Sequence, residues 1–192
     1  MTTLDNPSGA PDPSTVAMRP TAQRYGLIGA LILIVVSLAV NLSGLVDYTQ
    51  KGGTGNTIAT ILQYGIMITV IVLAIKTHRD DDLGGFITFG RGLGMGMLTA
   101  LILGIITGIW AYVYFGLIDP GLIDQIREVA HDQALERGTT EEQLEQAEGI
   151  MNFFTSPVFF AVASLIGTLL VSFVTSLIAS AVIKVEPPEQ PV

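Results

Sequence analysis

The sequence predicts an all-α membrane protein: a four-transmembrane-helix bundle with an extramembrane helical hairpin between the third and fourth helices. Three observations predict it. Hydrophobic residues make up 49% of the 192, and mean hydropathy is +0.58. The apolar residues come in four blocks, not at amphipathic spacing. Each block also reaches the ~18 residues that a helix needs to cross the ~30 Å hydrocarbon core. The spans fall at about 25–46, 57–75, 93–118 and 158–183, with an acidic loop at 119–157.

The net charge is −8, and its distribution says more than its size. Basic residues flank the apolar blocks, while acids gather in one loop. Nothing resembles the basic patch that nucleic-acid binding requires, so no nucleic-acid partner is expected. The chain has no cysteine, which excludes disulfides and thiolate metal sites.

Residues 1–23 are rich in Pro, Ser, Thr and Asp at their start and lack apolar periodicity, the composition of a disordered tail. The first span is preceded by Arg19 and Arg24. It exceeds the ~7–15 residues of a signal-peptide core, and no small-residue cleavage site follows it, so it reads as an uncleaved anchor. The glycine-rich connection 47–56 is a turn between neighbouring helices. Gln63 lies inside the second span, where an amide usually bonds across a helix contact; a substrate contact is the alternative.

Lys76, His78, Arg79, Asp80, Asp81 and Asp82 follow, a hydrated interfacial loop by composition. His78 beside three carboxylates invites a metal site for a hard cation, but neither Ca²⁺-loop spacing nor a helical His pair is present. No metal is therefore expected. The next segment, GGFITFGRGLGMGM, is studded with glycine at Gly84, Gly85, Gly90, Gly92, Gly94 and Gly96. Its G-x-G-x-G lacks the βαβ setting of a dinucleotide fingerprint, so no cofactor is expected. Phe86, Ile87 and Phe89 are expected in the membrane interface, and the glycines let the chain turn into the third helix.

No formal charge appears between Arg91 and Asp119. Gly92, Gly96, Gly104 and Gly108 recur at multiples of four and form a smooth groove for a neighbouring helix. Trp110, Tyr112, Tyr114 and Phe115 end the span, as aromatic residues do at headgroup level. Asp119-Pro120 then stops the helix.

The region 119–157 carries nine acids between Asp119 and Glu148 against Arg127 and Arg137, a net −7. One helix is expected from about Pro120 to Glu136, stopping near Gly138. A second is expected to start with Thr139 as N-cap and Glu142 at N3, a capping box. Leu144, Ala147, Met151 and Phe154 then form an apolar stripe. It must lie on the first loop helix, on the membrane interface or on a partner, and intramolecular packing is the default. In the last span, begun by Ser156-Pro157, Ser164, Thr168, Ser172, Ser176 and Ser180 recur every fourth position. Such a ladder allows close helix contact; a polar pathway is the functional alternative. Residues 185–192 form a short tail.

Lys and Arg near the spans set topology. Arg19, Arg24, Lys76, Arg79, Arg91 and Lys184 against Lys51, Arg127 and Arg137 favour cytoplasmic termini, with 119–157 outside.

The chain resembles a bacterial family of four-helix integral membrane proteins classed as a domain of unknown function. The resemblance covers about Arg24 to Lys184. It rests on YGLIGALILI, on GGFITFG (Gly84, Gly85, Phe86, Phe89, Gly90), on Ile118 to Pro120, on EEQLEQAEGIMNFF and on SLIASAVIK. Members often continue GGFITFG with a Gln-Ala-Phe-like run, where Arg91-Gly92-Leu93 stands here. The resemblance implies the architecture and no activity or catalytic residue.

The functional expectation is a bacterial cytoplasmic-membrane protein acting through helix association. Its partners are then the lipid bilayer and either a second copy or another membrane protein. A small transporter or channel subunit is the alternative, weakened by the lack of ionisable residues within the spans. An enzyme has little to build on, with His78 and His131 far apart and no nucleophile–base spacing.

Overall fold

Four long helices pack side by side, and the third touches all of the others. The computed structural model describes residues 12, 15–46 and 53–186. The expected tail at 1–23 therefore lies partly outside the described residues, as do 47–52 of the first connection and 187–192 of the C-terminal tail. The elements are α1 (Arg19–Leu42), α2 (Thr54–Thr77), α3 (Phe89–Val113), α4 (Gly121–Glu136), α5 (Glu141–Phe154) and α6 (Pro157–Ile183). π-Helical turns prolong α2 over His78–Asp82 and α3 over Tyr114–Ile118. With these turns α1, α2, α3 and α6 are, among the described residues, the four helices long and apolar enough to cross a membrane.

Several boundaries differ from expectation. α1 begins at Arg19 with Pro20 in its first turn, so Arg19 to Arg24 belong to the helix. α2 does not stop at 75, because its buried face continues: Met67, Val70, Ile71, Ala74, Ile75 and His78 are all buried. α3 starts at Phe89, where the Thr88 hydroxyl accepts from the Arg91 amide. Gly84 and Gly85 take φ of 65° and 96°, the left-handed region that lets the chain reverse between α2 and α3 without a Cβ penalty.

The closest contact joins α3 to α6. A Cβ added at Gly92 would meet the Ser180 Oγ at 2.7 Å, one at Gly104 would meet Leu165, and one at Gly108 would meet the Ala161 carbonyl at 3.0 Å. At Gly96 it would collide with the Ser176 Oγ. Glycine thus lets the two backbones approach, and without a hydrophobic drive between helices in lipid, such close packing is what holds them. α1 reaches α3 and α2 by the same device, since Gly26 faces Ile102 and Gly29 faces Val70 and Leu103.

Outside the spans, the capping box sits one residue later than expected. Thr140 is the N-cap of α5, and its partner is Gln143, with both reciprocal bonds formed. The cause is Thr139, whose amide bonds the Ala134 carbonyl and so still belongs to the turn closing α4. The apolar stripe of α5 divides along its length. Leu144 is buried, whereas Phe154 is half exposed beside Ile150 and Phe153. Phe153 and Phe154 contact the Phe159 ring of α6, and Arg127 of α4 donates to the Thr155 hydroxyl that closes α5. His131 on α4 comes within 3.3 Å of Glu141 on α5, an exposed pair that adds little stability.

Candidate functional site

Polar side chains collect in two places, one at each end of the long helices. The basic end holds Arg19, Arg24, Lys76, Arg79, Arg91 and Lys184. The acidic end carries α4 and α5.

At the basic end, the segment expected to be a hydrated loop is partly interior. His78 is fully buried. Its Nδ1 lies 2.7 Å from Asp82 Oδ2, and its Nε2 lies 3.2 Å from Arg91 Nε. A guanidinium can only donate, so Nε2 must accept and the ring proton sits on Nδ1, donated to Asp82. The same Asp82 oxygen accepts from the Thr21 hydroxyl at 2.5 Å, and Tyr25 bonds Thr77 at 2.7 Å. Arg91 Nη2 also donates to the Val16 carbonyl, and Arg79 reaches the Ile183 carbonyl at 3.2 Å. Ile87 and Val185 exchange backbone hydrogen bonds. Ile87 is itself buried, so this part of the glycine-rich motif is interior and not interfacial. All four long helices are latched together here.

This cluster has the character of a clamp, with both ring nitrogens of His78 engaged. Asp80 instead pairs with Arg79 at 2.6 Å. Among the described residues no group of three or more His, Cys, Asp or Glu could hold a metal ion. The sequence reading missed the cluster. Its available signal was spacing: His78 and Asp82 extend the buried stripe of α2 by the same three- and four-residue steps.

At the acidic end α3 and α6 stay in contact through Gly108 and Ala161, while α2 buries no residue before Met67. A cavity of about 330 Å³ opens among α1, α2, α3 and α6. Ser37 and Asn41 line it from α1, Gln63 from α2, Thr107 from α3 and Ser164 from α6, with Trp110 and Phe160 among its aromatic walls. Gln63 lies about 14 Å along the axis from the start of α2 at 1.5 Å per residue, which is hydrocarbon depth. It does not bond a neighbouring helix as expected. Among the described residues its side chain makes no hydrogen bond, and it is exposed. Tyr114, expected at headgroup level, is buried beside the cavity, while Tyr112 is half exposed.

The serine ladder divides between these regions. Ser172, Ser176 and Ser180 are buried, with no hydrogen-bond partner for their hydroxyl oxygens among the described residues. Ser176 and Ser180 point at Gly96 and Gly92, the setting for weak Cα–H···O contacts. Thr168 faces Gly104, and only Ser164 reaches the cavity. The motif residues scatter: Phe89 is partly exposed, and a Cβ on Gly90 would meet nothing within 4 Å.

Residues 24–185 match the sequence pattern of the family described as Protein of unknown function (DUF4199). No curated protein and no solved structure matches the chain. The match takes in α2, α3 and α6 whole, α1 from Arg24 onward and every residue lining the cavity, with Val16 and Thr21 of the clamp lying before it: the chain belongs to the DUF4199 family of proteins of unknown function.

Proposed function

We propose that the protein is a non-enzymatic accessory protein of the bacterial cytoplasmic membrane that works through helix association, in the first instance with a second copy of itself. One observation carries this reading. Gly92, Gly96, Gly104 and Gly108 of α3 are covered by α6, but a Cβ at Gly167 of α6 would meet nothing within 4 Å. Gly167 shares a face of α6 with Leu170 and Val174, both exposed, and on this reading the three form a seam toward lipid. A small residue on such a seam lets another helix come close, and one seam meeting its copy makes a self-complementary interface.

Both termini lie in the cytoplasm on this reading. It is supported by the gathering of Arg19, Arg24, Lys76, Arg79, Arg91 and Lys184 at one end of the molecule. The lipid bilayer is the solvent and no nucleic acid is involved. α4 and α5 then face outward.

Because the chain has no cysteine, single-cysteine variants report cleanly. Leu170→Cys and Val174→Cys should form disulfide-linked dimers in native membranes, whereas Ile105→Cys on α3 should not. Only monomer at both seam positions, with no heterologous adduct, would count against association. An adduct with a different membrane protein would replace the second copy by that partner. Transport is the second reading, favoured by the polar cavity. Its flux assay must alter Gln63 or Ser164, since Ser172 and Ser176 are packing residues.

A further inference from the structure

We propose that the cavity at the acidic end is a binding site for a neutral, flat-ring molecule bearing carbonyl or hydroxyl oxygens, which enters from the lipid phase. The inference goes beyond the association reading and does not rest on it.

Size comes first. About 330 Å³ is within the range of small-molecule sites. Charge decides the class of ligand. No Asp, Glu, Lys, Arg or His lines the cavity, and a charged ligand without a counter-charge at this depth would be strongly disfavoured. The occupant is therefore uncharged.

Hydrogen bonding narrows it further. Neither Gln63 nor Ser164 makes a side-chain hydrogen bond among the described residues, and a polar group left so in hydrocarbon costs free energy until something pairs with it. The Gln63 amide can donate to a carbonyl oxygen or accept from a hydroxyl. Shape supplies the ring. Phe115 and Phe160 stack with centroids 4.6 Å apart, and Trp110 and Tyr114 follow at 5.9 Å. Aromatic walls of this kind hold a planar ring by offset or edge-on contact. Access is lateral, because Gln63 and Tyr64 are exposed on the half of α2 that buries no residue.

Trp110 is the single tryptophan of the chain and lines the cavity, so it reports on occupancy. The full-length protein in lipid nanodiscs is titrated with menadione, a neutral ring dione, while the tryptophan fluorescence lifetime is followed. Quenching should saturate. Gln63→Leu should weaken binding by about tenfold, the net value of one lost hydrogen bond. Ser164→Phe, which fills the cavity, should abolish the saturable phase. 2-Methylnaphthalene, the same ring without oxygens, should need about tenfold more to compete. Non-saturating quenching that is the same in wild type and both variants would mean that the probe merely dissolves in the bilayer, and would overturn the proposal. So would equal competition by the oxygen-free ring, or unchanged binding in Gln63→Leu. Should Ser164→Phe fail to fold, the Gln63→Leu and competition results decide alone.

Discussion

The two ends of the bundle solve the same problem differently. Each must place polar side chains among helices that lie in lipid. At the basic end, every helix brings a group that meets another: Thr21 and Asp82, His78 and Arg91, Arg79 and the Ile183 carbonyl. At the acidic end, Gln63 and Ser164 face a shared space and bond nothing else described. Polar groups that are mutually satisfied rigidify a structure, and groups left open are where something else binds. A clamp at one end and an opening at the other is the arrangement expected when one end must stay closed while the other receives a guest.

The contrast can be broken most sharply at glycine. Gly96→Leu should destabilise the fold by about 3 kcal/mol, because overpacking a tight contact has nowhere to relax. Gly167→Leu should change stability by less than about 0.5 kcal/mol, as for an open surface position. Thermal unfolding of the two variants in detergent checks this. Equal losses would mean that α6 is packed on both faces.

A smaller effect is expected at the clamp. Arg91→Met removes the donors to His78 Nε2 and to the Val16 carbonyl and should cost about 2 kcal/mol. Arg91→Lys should restore only part of it, since an ammonium lacks the planar fork that serves two acceptors at once. Nitrogen NMR of the His78 ring gives the second readout. The proton should sit on Nδ1 in the native protein and lose that fixed position in Arg91→Met. A ring tautomer unmoved by the substitution would show that Asp82 alone sets it.

The spans were legible because lipid imposes a length and an apolarity on any helix that crosses it. The α3 groove was legible too, since Gly92, Gly96, Gly104 and Gly108 recur with the helix period. Its partner was not. Nothing local says that Ser176 and Ser180 would be the residues to fill it, so groove and ladder read as two separate helix-contact surfaces when they in fact cover each other. His78 was misread for a different reason. A histidine among aspartates looks hydrated by composition, and only the continued stripe of α2 shows that one face of this charged segment turns inward. The cavity left no trace in the sequence at all. Ser37, Asn41, Thr107 and Ser164 are scattered over three helices, and only the packing of the long helices brings them to one space.

Its place on the wall of that space makes Gln63 the most discriminating position for the comparison, although its effect on stability should be the smallest. A polar residue holding two helices together would cost roughly 1 kcal/mol or more when replaced. Gln63 bonds no helix, so Gln63→Leu should leave stability unchanged or raise it slightly, within about 0.5 kcal/mol, by removing an unpaired amide from hydrocarbon. The measurement is the unfolding midpoint in detergent, taken without any added small molecule. A loss well above 1 kcal/mol would show that the amide does bridge helices and that the acidic end is as closed as the basic end. An unchanged midpoint combined with weaker probe binding would separate the roles cleanly: the clamp residues hold the fold, and Gln63 serves what enters it.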